Sequence, residues 1–144
     1  MSCAKATTVF LNKENVTELI IPKGVVAIGK NAFGGFTNLK KVTIPDSVEI
    51  MGSHIFHNAA LVSVKLPKNL KKLSASTFSG CKQLKKVTLP NKLQIIEDNA
   101  FSYCESLASI SIPKSVTRIE KDAFYQTEWQ NKLCRKSKHR LVVV

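Results

Sequence analysis

Two residue types keep one register through most of this chain. Proline stands at 22, 45, 67, 90 and 113, in steps of 23, 22, 23 and 23. Phenylalanine stands at 10, 33, 56, 78, 101 and 124, in steps of 23, 23, 22, 23 and 23. Leu84 to Phe101 displays the unit: Leu-x-x-Val-x-Leu-Pro-x-x-Leu-x-x-Ile-x-x-x-x-Phe. With apolar swaps the same string runs from Val16 to Phe33, Leu39 to Phe56, Leu61 to Phe78 and Leu107 to Phe124. A period of this length specifies a solenoid, in which each unit touches its neighbours and the core is a ribbon along the stack.

The units read as 16–38, 39–60, 61–83, 84–106 and 107–129 within a single repeat domain over 1–144. Residues 5–15 read as the back half of a further unit, and 130–144 as a C-terminal segment. Because that half unit keeps the consensus Phe10, the chain is expected to be a segment of a longer array. Unit 39–60 is one residue short. Its Pro45-to-Phe56 spacing is normal, so the deletion lies between Phe56 and Leu61, in a turn, where loss is best tolerated.

Inside each unit the pattern changes twice. Val42-x-Ile44, Val64-x-Leu66, Val87-x-Leu89 and Ile110-x-Ile112 alternate, which predicts short strands with one buried face. Proline then ends the strand, having no N–H to give to a ladder. Ser115-Val116-Thr117-Arg118-Ile119 spaces its apolar residues by three, which suits either a 3₁₀-like turn or an extended segment. Asp98-Asn99-Ala100-Phe101 and Lys121-Asp122-Ala123-Phe124 read as single helical turns that the Asp or Asn caps. Gly34-Gly35 and Ser79-Gly80 allow the chain to turn back. Leu39, Val42, Ile44, Val48, Met51 and Phe56 are the expected inward set. Beyond Phe124 the pattern stops, with Gln130 in place of the opening leucine. Either Trp129 closes the array or a loop leads to one more strand at Leu141 to Val144.

Leu39-Lys-Lys-Val-Thr-Ile-Pro-Asp-Ser-Val48 and Asn99-Ala-Phe-Ser-Tyr-Cys104 resemble the BspA-type, or Treponema-type, leucine-rich repeats. The resemblance runs over residues 9 to 129. It implies an α/β solenoid: a right-handed leucine-rich-repeat superhelix with a parallel β-sheet on the concave face and short helical or 3₁₀ turns opposite. It also implies a secreted or cell-surface protein with a binding or adhesion role. Unit 39–60 departs from the family pattern with Ala59 at the cysteine position and His57-Asn58 before it.

Little in the sequence suggests catalysis. No nucleophile, base and acid fall into a set, so no enzyme and no cofactor are expected. Cys81 and Cys104 share one position in adjacent units; they are either a ladder of buried thiols or, given the short distance between coils, a disulfide or half a metal site. Cys3 and Cys134 lie outside the units. His54 and His57 are three apart, but no further ligands stand nearby, so no metal site is expected. Asn15-Val16-Thr17 is a sequon, meaningful only in a glycosylating pathway. Met1 to Ala6 lead into no apolar stretch of the kind an export signal carries, and no run is long enough to span a bilayer.

Charge carries the functional signal. The net charge is +12, and from Ile50 to Ile96 there are no acids but eight lysines: 65, 68, 71, 72, 82, 85, 86 and 92. The outward strand columns read Glu18, Lys41, Ser63, Lys86, Ser109 and, two residues on, Thr43, Lys65, Thr88, Ser111. The column after proline reads Lys23, Asp46, Lys68, Asn91, Lys114. Lysine skips alternate rungs, which relieves repulsion between stacked like charges. The candidate binding face is therefore Lys41, Thr43, Lys65, Lys68, Lys86, Thr88, Ser111 and Lys114. A macromolecular scaffold working through that face is the leading expectation. The alternative is an electrostatic binder of acidic polymers (glycan, cell-wall polymer or nucleic acid) centred on Lys65 to Lys92, and the third possibility is a spacer whose lysines only solvate it. Protein or acidic polysaccharide is the expected partner. Nucleic acid is disfavoured, since no aromatic interleaves with the basic columns, and a monomer is expected. Arg135 to Arg140 forms a second basic cluster.

Overall fold

The computed structural model describes residues 12–136, with side chains through Cys134. A 3₁₀ turn at Lys13–Asn15, capped by the Asn12 side chain, leads into a parallel β-solenoid. The first coil supplies β1 (Glu18–Ile20) and β2 (Ala27–Ile28), and the second β3 (Lys41–Thr43) and β4 (Ile50–Met51). From the third come β5 (Ser63–Lys65) and β6 (Lys72–Leu73), and from the fourth β7 (Lys86–Thr88) and β8 (Ile95–Ile96). In the fifth coil β9 (Arg118–Ile119) is the strand formed, followed by helix α1 (Glu128–Lys136).

Pairing joins equivalent residues of successive coils. In the first ladder Leu19 lies opposite Val42 and Val64 opposite Val87. In the second, Ile28 meets Met51, Leu73 meets Ile96, and Ile96 meets Ile119. The segment with apolar residues three apart is thus extended rather than 3₁₀, because its backbone finds partners one coil away. One predicted strand is missing. Ile110-x-Ile112 alternates as the others do, yet residues 109–111 form no strand. Ile110 there is only half-buried, whereas Val42, Val64 and Val87 at the same position are buried.

The third side of the coil corrects the expectation of a capped helical turn. It is a series of separate i,i+3 turns, such as Thr77 N–H to Ser74 O, Ser79 to Ser76 and Cys81 to Phe78. The intervening N–H groups reach the next coil: Ser76 to Asp98 O, Phe78 to Ala100 O and Gly80 to Ser102 O. Alternation of this kind needs left-handed residues at two fixed places. Asn31, His54, Ser76, Asn99 and Asp122 fill the first (φ 57 to 60°), and Gly35, Asn58, Gly80, Tyr103 and Gln126 the second. Among the described residues, Asp98, Asn99 and Asp122 cap nothing with their side chains, and Asp98 Oδ1 has no partner.

The whole expected inward set is buried, and Leu39, Val48 and Phe56 have no exposed surface. The phenylalanines form a continuous stack. Successive rings from Phe33 to Phe124 lie 5.2–5.7 Å apart with planes within 13°. Each such pair adds about 0.5–1.5 kcal/mol to the burial of its rings. α1 ends the stack: Trp129 packs on Phe124 at 4.7 Å, and its backbone N–H donates to Leu107 O. Thr127 caps the helix by accepting the Gln130 N–H at 3.1 Å. The other reading of the C-terminus, a strand at 141–144, lies outside the described residues, as do Cys3, residues 5–11 of the half unit, the Arg135 and Lys136 side chains, and 137–140 of the basic tail.

Both sheet ladders break at the same level. β3 does not pair with β5, nor β4 with β6, so the sheets run β1-β3, β5-β7, β2-β4 and β6-β8-β9. This is the interface that follows the shortened second coil. The missing residue shortens the corner that carries the chain into β5. One contact survives at the head of the first ladder, Val62 N–H to Lys40 O at 3.4 Å. On the second ladder the Ser74 hydroxyl donates to Met51 O at 2.6 Å. A backbone N–H does that work elsewhere, as from Glu97 to Leu73 O.

Candidate binding surface

Five of the eight candidate residues share the outer face of the first ladder. Lys41, Thr43, Lys65, Lys86 and Thr88 are exposed, with Lys65 registered against Thr88, Lys86 against Ser63, and Thr43 against Ile20. Lys68 and Lys114 stand apart on the proline turns, where the Lys68 N–H donates to Asp46 Oδ1 at 3.0 Å. Ser111 lies in the unpaired segment beside Thr88 and lines a shallow groove with it. Ile20, at the head of the Thr43 column, is 68% exposed.

The lysines of the acid-free stretch are mostly unopposed. Among the described residues, Lys65, Lys68, Lys71, Lys82, Lys85, Lys86 and Lys92 make no ion pair. Lys72 approaches Glu97 at 3.4 Å, and Lys41 approaches Glu18 at 3.8 Å. Exposed pairs of this kind contribute about 0–1 kcal/mol, so they orient side chains more than they stabilise the fold.

Reading columns alone does not single out the place where lysines converge. The break between β3 and β5 opens a groove of about 620 Å³ that includes Lys23, Thr43, Asp46 and Lys65. The break between β4 and β6 opens another of about 580 Å³, with Asn69, Lys71, Lys72 and Lys92 around Ile50. The one-residue deletion was the available signal, but its effect on pairing appears only in three dimensions.

Cys81 and Cys104 are buried free thiols. Their Sγ–H groups donate to the carbonyls of Phe56 and Phe78 at 3.2 and 3.1 Å. Burial pushes the Cys81 pKa up to about 12 and raises that of Cys104 further, Cys81 itself adding to the effect. Protonated thiols are poor nucleophiles and poor metal ligands. The rings of His54 and His57 meet edge to face at 5.9 Å. Among the described residues no group of three or more His, Cys, Asp or Glu gathers, and no helix is long and apolar enough to cross a membrane.

A two-ladder parallel solenoid with a stacked Phe column and a fixed 22–23-residue period defines a leucine-rich-repeat protein. The chain belongs to the family described as the BspA type leucine rich repeat region, which matches in six copies over residues 6–130. It is similar to the solved leucine-rich repeat protein of T. pallidum: 32% identity, TM-score 0.73, covering 76% of this chain and 54% of that one. It is similar also to a leucine-rich cell surface protein of Faecalibacterium prausnitzii, with 37% identity, TM-score 0.75, and 78% and 30% covered. The pneumococcal vaccine antigen PcpA gives 27% identity, TM-score 0.71, and 77% and 28% covered. The chain thus spans about half or less of the length of these proteins. No functionally curated protein matches it by sequence.

Proposed function

We propose that this chain is a non-enzymatic binding or adhesion scaffold, acting at a cell surface or in secreted form through the outer face of the first ladder. That face is taken to be the concave side of a right-handed superhelix. The observation that carries the reading is the division of labour within each strand. Val42, Val64 and Val87 are buried in the core, while Lys41, Thr43, Lys65, Lys86 and Thr88 stand outside on hydrogen-bonded backbone. A partner meets a surface already ordered, which lowers the entropy cost of binding. Support comes also from the Faecalibacterium relative, described as a cell surface protein. Protein is the favoured partner, and the chain is taken to act as a monomer.

Beads coated with the chain should adhere to a host cell layer. Adhesion should fall with Thr43, Lys65, Lys86 and Thr88 changed to Ala, and should persist with turn-side Tyr103 and Tyr125 changed. Full adhesion by the first variant would defeat the reading.

A second reading, electrostatic capture of acidic polymers, is favoured by the seven lysines of the acid-free stretch that, among the described residues, have no acid partner. Elution from a heparin column at low salt, unchanged when Lys65, Lys68, Lys86 and Lys92 become Gln, would remove it.

A further inference from the structure

The groove between β4 and β6 combines an apolar floor with three lysines. Its floor is Met51, buried, beside Ile50, which is 62% exposed. Lys71, Lys72 and Lys92 stand along its walls, and Glu49 is the carboxylate in the lining. Two of the lysines have fixed partners, Lys72 in Glu97 and Lys92 in Asn69 Oδ1 at 3.0 Å. The Lys71 ammonium has no partner among the described residues.

We propose that this groove binds an acidic polysaccharide, seating a carboxylate or sulfate between Lys71 and Lys92 while the C–H face of a sugar ring lies on Ile50. The proposal rests on the electrostatic reading above and gives it a location. Sugar acids present an apolar ring face, a polar edge and charges separated by uncharged ring atoms. The groove offers an aliphatic floor, the Asn69 amide and spaced ammonium groups. Glu49 on one wall tolerates spaced charges better than the dense phosphates of a nucleic acid. No aromatic lines the groove, so unstacked bases would find no platform.

The test is calorimetric titration of the chain with a heparin hexasaccharide and with oligogalacturonate at low salt. The variant K71Q/K92Q is compared with K40Q/K85Q, which removes equal charge from the first-ladder side. Binding should weaken by about tenfold in K71Q/K92Q, the equivalent of one good charge-assisted contact. It should weaken by no more than about twofold in K40Q/K85Q, as for loss of screened surface charge. I50S, which keeps every charge, should weaken binding several-fold, and the Ile50 methyl resonance should shift on titration. Equal weakening in both double variants would overturn the groove while leaving the electrostatic reading intact. Absence of binding by the unmutated chain would overturn both. If single-stranded oligo(dT) binds more tightly than the hexasaccharide and is likewise lost in K71Q/K92Q, the polysaccharide assignment is overturned.

Discussion

Two interfaces between coils use the same residue columns and differ in one residue of chain. Between the third and fourth coils, β5 pairs with β7 and β6 with β8, while Ser76, Phe78 and Gly80 bond forward on the turn side. Between the second and third, both strand pairings are gone. The turn side is fully kept, with His54 bonded to Ala75 O, Phe56 to Thr77 O and Asn58 to Ser79 O at 2.9–3.1 Å. The Phe stack also crosses this interface, Phe56 to Phe78 at 5.7 Å. Cohesion between coils therefore has two separable parts. The turn column and its rings hold without the ladders, and the ladders depend on coil length.

The strongest way to break the comparison is to remove a ring that spans the weaker interface. Phe78→Ala should cost about 3–5 kcal/mol, read from urea unfolding. It should also split the transition in two, because neighbouring coils are coupled only through their interfaces. One transition with little loss would show that the turn column is not what holds the halves together. Gly52→Ala should cost about 1–3 kcal/mol by overpacking, since the added Cβ would lie 2.6 Å from the Lys30 backbone nitrogen. That change strikes the first-to-second interface, which keeps its ladders, and thermal melts should show the loss.

The thiols probe both interfaces at once. The Cys81 bond crosses the broken one and the Cys104 bond an intact one. The folded pKa of Cys81 is raised from 9.0 to about 12. Its contribution is therefore complete below pH 9 and is lost as pH climbs toward 12, by about 1 kcal/mol at one unit above the unfolded value. Unfolding curves across that window should flatten when both cysteines become Ala. The gentlest test restores length. One residue inserted after Ala59 should let β4 meet β6 and slow amide exchange at Lys72 and Ser74 on the order of tenfold, as a new ladder bond would. Unchanged exchange would mean that the deletion is not the cause of the break.

Much of this was legible in the residues. Period two gave the first ladder, proline gave its end, and the Phe spacing gave the stack, because each is a local signal repeated in register. The family resemblance added the solenoid class. The second ladder was ambiguous, since apolar residues three apart fit two backbones and only the neighbouring coil decides between them. Asn99 and Asp122 read as caps of a helical turn, although Asn and Asp are also the residues that tolerate left-handed backbone. The face carrying Lys65, Lys86 and Thr88 could be drawn from columns. The groove at Lys71 and Lys92 could not, because it arises from pairing that fails to form, and no residue encodes that by itself.

The alternating turn bonds also bear on how the molecule would respond to being pulled. Tension applied between its ends along the stack loads the coils in series, and a released coil of about 23 residues lengthens the tether by roughly 75–80 Å. The interface between Phe56 and Phe78, lacking both ladders, is where stretching should begin. A force trace would then show one low event before the uniform ones, so that a single missing residue sets where the chain first yields.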